Sequence, residues 1–168
     1  MSVIEPAELR KALGRFATGV TVITTVDAEG RKYGVTANSY NSVSLDPPLI
    51  LWSLARTAGS MRAFAACETF AVHILGAHQE DLAKRFAVRG DDKFAGIVTR
   101  EGLGGAPLFD DCLAHLECRV ENRFEGGDHV IFLGRVISFE ACDHDPLLFH
   151  LGRFARVGAD GPARQEPA

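Results

Sequence analysis

The chain has 168 residues, of which 46% are hydrophobic and 24% charged, with a formal net charge of −4. Such a chain is expected to fold as one soluble domain around one core. The mild acidity argues against binding to nucleic acid or an anionic membrane, and no apolar run approaches the roughly 20 residues that span a bilayer.

The opening "MSVIEPAELRKALGRF" lacks the apolar stretch of a secretory signal, so a cytoplasmic protein is expected. Pro6 suits a first helical turn, and Leu9, Leu13 and Phe16 follow at helical spacing, predicting a short amphipathic helix that ends near Thr18 and Gly19. Residues 20–26, "VTVITTV", are β-branched and read as a strand, closed by the turn "DAEGR". "KYGVTANS" returns from that turn, and "SVSLDPP" ends in a proline pair that cannot continue a ladder. "LILWSLA" (49–55) is apolar on both faces, which calls for cover on both sides.

"RTAGSMRAFAAC" has the composition of a short helix, and "TFAVHIL" (69–75) is the next strand. Residues 77–87 form a second amphipathic pattern with Leu82 and Phe86 inward. Residues 88–107 hold five glycines and mixed charge, predicting a long, partly mobile loop of the kind that serves as a lid or binding loop. In "CLAHLECRV" (112–120) Cys112, Ala114, Leu116, Cys118 and Val120 alternate with His115, Glu117 and Arg119, predicting a half-buried strand. The strand 129–139 is apolar on both faces, with Val130, Phe132 and Val136 on one and Ile131, Leu133 and Ile137 on the other. One face fits a barrel interior and a partner subunit fits the other.

Six or seven strands with two or three helices and no βαβ alternation predict a mainly β fold. An antiparallel sheet closes into a barrel with helices outside. Residues 1–157 are expected to form that domain, and 158–168 a flexible tail. The four cysteines have no CxxC spacing, and Cys112 and Cys118 read as small core residues. The six histidines lack zinc-ligand spacing, so no metal is expected.

No nucleophile elbow, phosphate loop or dinucleotide fingerprint is present. In "SLARTAGS" (53–60) a buried strand runs into Arg56, Thr57 and Ser60 where a helix is expected to begin. Free N–H groups, a guanidinium fork and two hydroxyls there suit a phosphate. The plainer alternative is that Thr57 caps the helix and Arg56 is solvated. "GVTANSYNSVSLDPP" (34–48) places Thr36, Asn38, Ser39, Ser42 and Ser44 in a strand-like stretch. Small polar groups can bond the edge of a flat heterocycle, or they mark a solvated edge strand. "EGGDHVIFLGRV" (125–136) sets Asp128 and His129 at the mouth of a strand, where a hairpin turn accounts for the glycines and the aspartate but not for the histidine.

Three segments in order, "GVTANSYNSVSLDPPLILWSLARTAGS", "DDKF" and "GDHVIFLGRV", resemble the flavin reductase family with the FMN-binding split-barrel fold. The resemblance implies a six- to seven-stranded Greek-key barrel. It also implies an NAD(P)H:flavin oxidoreductase that supplies reduced FMN or FAD to a partner monooxygenase. By the same resemblance, flavin contacts fall on Thr36, Ala37, Asn38 and Ser39 around the ring and ribityl chain. Ser53, Leu54, Ala55, Arg56, Thr57 and Ser60 fall around the phosphate. Lys93 and Phe94 are implied as further contacts, with Lys84, Arg85 and Phe86 beside them. His129 matches the family's nicotinamide-nucleotide histidine, and Gly152, Arg153 and Phe154 are implied at the flavin or nicotinamide rim. A histidine satisfied by Asp128 within the hairpin stays open beside that role. No catalytic residue is implied, because hydride passes between cofactors. NADH or NADPH is the implied donor and a homodimer the implied assembly. The rival readings are an oxidase resembling the pyridoxamine-phosphate oxidases and a non-catalytic flavin- or haem-binding module.

Overall fold

The computed structural model describes residues 4–90 and 92–158. In chain order the elements are α1 (Pro6–Leu13), β1 (Thr18–Gly19), β2 (Thr21–Val26), β3 (Lys32–Ala37), β4 (Asn41–Leu45), β5 (Pro48–Ala55), α2 (Met61–Ala66), β6 (Thr69–Ile74), α3 (Glu80–Ala87), β7 (Arg100–Glu101), β8 (Pro107–Leu108), β9 (Ala114–Gly126), β10 (His129–Ala141), β11 (Leu147–His150) and β12 (Arg153–Arg156). Seven strands form one sheet in the order β3-β2-β6-β9-β10-β5-β4, and every pairing in it is antiparallel. The sheet curls until β3 approaches β5, so the barrel closes incompletely. A small sheet, β1-β11-β12, and the ribbon β7-β8 lie outside it. None of the described helices is long and apolar enough to cross a membrane.

The barrel interior is aromatic. Trp52 of β5 stacks on Phe132 of β10 at 4.7 Å, and Phe64 and Phe70 meet the indole edge-on. All four are fully buried. Gly134 explains how β10 lies this close, since a Cβ there would sit 2.5 Å from the Phe70 ring. A second cluster lies outside the barrel wall, where Phe86 of α3 packs on Val22, Leu75 and Phe109.

Four expectations change. The first helix stops at Leu13 and buries no residue, so its apolar stripe of Leu9, Leu13 and Phe16 stays exposed. The loop 88–107 is partly built, because β7, β8 and a 3-10 turn at Leu103–Gly105 fold back over β6 and β9. That cover is why His115 is buried rather than outward-facing, and why Glu117 accepts a hydrogen bond from the Leu103 N–H. The helix expected from residue 56 starts only at Met61. The cysteine reading agrees with the structure: Cys112 and Cys118 are buried, and burial pushes their thiols up to about 11 and about 12. Apart from Gly158, the expected tail lies outside the described residues.

The outer face of β9, β10 and β5 differs from the interior. Ile131 and Leu133 pair with Ser53 and Leu51 across β10 and β5, and Phe124 lies opposite Ile131. These apolar side chains are only half-buried, and Phe124 is 47% exposed. The second apolar face read from the sequence therefore has no cover within the described chain.

Candidate functional site

A cavity of about 420 Å³ opens between β3, the connection from β5 to α2, and the end of α3 with the loop that follows it. Tyr33, Gly34 and Val35 form one wall and Ala55, Thr57 and Ser60 another. Phe86 and Phe94 close its inner side as an edge-on pair 5.0 Å apart. Gly34 permits that packing, since a Cβ there would come within 2.5 Å of the Phe86 ring and 3.3 Å of Phe94. The walls are apolar and aromatic with polar groups at one end, the usual make-up of a cofactor site.

The electrostatics of the polar end are one-sided. Lys93 donates from Nζ to the carbonyls of Phe86 at 3.1 Å and Gly34 at 3.4 Å. Burial holds its ammonium below the usual lysine range. Among the described residues no carboxylate pairs with it, and the described lining holds four cations, Arg31, Lys32, Arg89 and Lys93, with no acid. A half-buried ammonium that pairs with no described carboxylate, in one lining with the Thr57 and Ser60 hydroxyls, fits an anionic ligand group. This donor set and the flat aromatic walls fit a flavin nucleotide.

Arg56 is engaged by a neighbouring hairpin. Residues 56–60 form two successive turns, with Ala58 N–H bonded to the Ala55 carbonyl and Met61 N–H to the Ala58 carbonyl. Ser60 rather than Thr57 is therefore the residue preceding α2, and it makes no side-chain cap. No helix N-terminus therefore stands at Arg56. The Arg56 side chain turns away to the hairpin joining β9 and β10. Its Nε donates to the Gly127 carbonyl at 3.0 Å, its Nη2 pairs with Glu125, and its backbone N–H donates to the Asp128 carbonyl at 2.9 Å. The two residues flanking it, Ala55 and Thr57, both line the cavity.

That hairpin presents His129. Gly127, at φ 73°, makes the tight turn, and His129 pairs across the sheet with Ala55. Its Nδ1–H donates to Asp128 Oδ1 at 2.7 Å, and this hydrogen bond holds the Asp128 carboxyl below the usual carboxylate range. The bond within the hairpin therefore forms; His129 does not itself line the cavity, though its cross-strand neighbour Ala55 does.

Of the residues read from the sequence, the structure brings Ala55, Thr57, Ser60, Lys93 and Phe94 to the cavity, with Phe86. Thr36 instead donates to the Ala83 carbonyl at 2.6 Å and ties β3 to α3. Ser39 bonds both the N–H and the carbonyl of Ser53, bracing the end of β3 against β5. Ala37 and Asn38 lie between those two braces, and Leu54 is buried in the barrel core. Lys84 pairs with Glu80, and Arg85 donates to the Ala95 carbonyl. Gly152, Arg153 and Phe154 sit in the β11–β12 hairpin, where Phe154 packs on Phe149, and none of the three lines the cavity. Sequence reasoning missed Arg31, Lys32, Tyr33, Gly34 and Arg89. The signal available was charge flanking the β2–β3 turn and the glycine inside a strand pattern.

Residues 13–158 match the model of the flavin reductase like domain, and the chain belongs to that family. It is 39% identical over 94% of its length to the flavin-dependent monooxygenase reductase subunit HsaB of Rhodococcus jostii, 80% of which it covers. It is 43% identical to the FMN reductase (NADH) SmoA of Agrobacterium fabrum, covering 88% of this chain and 83% of that protein. The structure of the NADH:FAD oxidoreductase SgcE6 of Streptomyces globisporus, in complex with NAD and FAD fragments, superposes with a TM-score of 0.88 at 40% identity. That match covers 96% of this chain and all of the other. Two further curated relatives are longer, and the chain spans 44% and 66% of their lengths.

Proposed function

We propose that this protein is an NADH-dependent flavin reductase, working in the cytoplasm, that hands reduced flavin to a separate oxygenase component. The carrying observation is the cavity in which four cationic side chains meet an aromatic wall, in a chain of the flavin reductase family. Lys93, Thr57 and Ser60 hold the flavin phosphate, and Phe86 and Phe94 wall the site. The segment Thr36–Ser39, braced at both ends, borders the ring. His129, steered by Asp128, offers Nε2 to the nicotinamide nucleotide, and Arg56 fixes the hairpin that carries it. When bound, the flavin supplies the hydride acceptor, so the chain needs no acid–base pair of its own. Its task is to hold two rings in contact and exclude side reactions. Gly152, Arg153 and Phe154 serve this role only if a partner subunit or a bound nucleotide brings their hairpin to the rim.

NADH consumption by the purified protein is expected to depend on added flavin. Gly34→Val, whose side chain meets Phe86, is expected to abolish flavin binding and turnover together. Turnover that survives with the cavity filled would place the site elsewhere. His129→Ala and Arg56→Ala are expected to raise the KM for NADH while flavin affinity is kept. Loss of flavin affinity in Arg56→Ala, but not of riboflavin affinity, would return Arg56 to the phosphate.

The same reading includes a homodimer through the outer face of β9, β10 and β5. Each apolar side chain buried there contributes roughly 1.5–3 kcal/mol, enough in number to offset the cost of association. A twofold axis repeats the contact and sets two cavities near one seam. Sedimentation equilibrium is expected to give twice the 18.2 kDa chain mass. A monodisperse monomer retaining full activity would contradict it.

A further inference from the structure

The chain has four lysines, Lys11, Lys32, Lys84 and Lys93. Lys11 pairs with Glu8 and Lys84 with Glu80, each at 2.7 Å. The Glu80 hydrogen bond holds the Lys84 ammonium above the usual lysine range. Lys32 is exposed and donates to the Thr99 hydroxyl at 2.8 Å. Of the four only Lys93 is half-buried; it lines the cavity, and among the described residues no carboxylate pairs with it. We infer that Lys93 is a modification site, acylated on Nζ by small acyl phosphates that enter the cavity. The acylation stands on the cavity's own geometry, and its effect on turnover rests on the flavin reductase reading above.

The hydrogen bonds of Lys93 orient it as a nucleophile. Nζ donates to the Phe86 carbonyl at 3.1 Å and to the Gly34 carbonyl at 3.4 Å. A neutral amine has two hydrogens and one lone pair. The two carbonyls take the hydrogens, so the lone pair is directed away from both of them. Burial holds the ammonium below the usual lysine range, which raises the share of reactive amine above that of an exposed lysine. Only the amine attacks a carbonyl carbon.

The lining selects the class of acyl donor. Arg31, Lys32 and Arg89 and the Thr57 and Ser60 hydroxyls share the cavity with Lys93. Guanidinium and hydroxyl donors suit a phosphoryl group, and a cleft lined by cations concentrates an anionic reactant. An acyl phosphate brings that anion and an electrophilic carbonyl in one small molecule. In the reaction Nζ forms a bond to the carbonyl carbon, and the bond from that carbon to the phosphate oxygen breaks. Inorganic phosphate leaves with the electron pair and takes up the proton released from nitrogen, so nothing is oxidised or reduced. The product is a neutral amide, which removes the charge of Lys93 and sets an acyl group where the flavin phosphate binds.

Incubation of the intact protein with acetyl phosphate, with acetyl-lysine mapped by mass spectrometry over time, tests the assignment. Lys93 is expected to be acetylated about tenfold or more faster than Lys11, Lys32 or Lys84, the lower end of what a cationic cleft does to the local concentration of an anion. Saturating FAD is expected to suppress the reaction at Lys93 and to leave Lys11 and Lys84 unchanged. FAD-dependent NADH consumption is expected to fall in step with the fraction of Lys93 acetylated. Lys93→Arg keeps a charge but offers no amine, so acetyl phosphate is expected to lower its turnover no further, whatever its starting value. An equal fractional loss in that variant overturns the link between Lys93 acylation and turnover. Equal rates at all four lysines overturn the inference and leave the flavin reductase reading standing. Rapid acetylation of Lys93 that FAD does not suppress upholds the acylation site and instead removes Lys93 from the flavin phosphate.

Discussion

Trp52→Ala is expected to lower the unfolding free energy by about 3–5 kcal/mol, the range for emptying a large buried aromatic site. Trp52 is fully buried at the centre of the barrel, stacked on Phe132 and met edge-on by Phe64 and Phe70. None of those three rings can move into the space without breaking its own contacts. Among the described residues the indole N–H finds no acceptor, so part of the gain from burying the ring is lost on an unpaired donor. Trp52→Phe removes that donor along with some volume and is expected to cost less than half as much as the alanine change. Urea unfolding of the three proteins measures both differences. Equal losses would mean that the indole nitrogen is not an orphan. The consequence reaches the site, because the β5–β10 register that pairs Trp52 with Phe132 also pairs Ala55 with His129 three residues on.

The second large effect is on pH dependence. His73 is completely buried on β6, with its Nε2 accepting the Phe109 N–H at 3.3 Å and its Nδ1–H therefore donating to the Val22 carbonyl at 3.0 Å. Burial lowers its pKa from 6.5 to about 4, and the nearby His115 and Arg100 push the same way, against the Val22 hydrogen bond and Glu117. The folded protein thus binds the proton less readily than the unfolded chain. Stability from this residue is complete above pH 6.5 and is lost as pH falls from there toward 4, on the order of 3 kcal/mol across the window. His73→Gln keeps a donor and an acceptor but does not titrate, so its urea midpoint is expected to fall less over the same interval. Parallel pH profiles for the two proteins would place the acid sensitivity on other groups.

The strand pattern was legible because alternation and β-branching survive any packing. The segments 20–26, 69–75 and 129–139 match β2, β6 and β10 to within two residues at each end. Helix starts were less legible. Arg56, Thr57 and Ser60 look like a helix entry, but two consecutive turns take up their backbone bonds before α2 begins. The burial of His115 depended on residues 100–108 folding over the strand, a long-range event that local alternation does not encode.

The site divides in the same way. Thr57, Ser60, Lys93 and Phe94 could be named from motifs because their neighbours in sequence carry the resemblance. Arg31 and Arg89 could not, since each reaches the cavity from an otherwise ordinary polar turn or loop. The hairpin contacts of Arg56 were not legible, because its partners Glu125 and Gly127 lie some seventy residues away. The pairing of β5 with β10 brings them together.

Anaerobic mixing of the purified protein with FAD and NADH in a stopped-flow cell tests the central claim most directly. The flavin's visible absorbance is expected to bleach within the first turnovers, with one NADH consumed per flavin and no bleaching when protein is omitted. Flavin that binds the protein and stays oxidised in excess NADH would contradict the reductase reading and leave a flavin-binding module in its place.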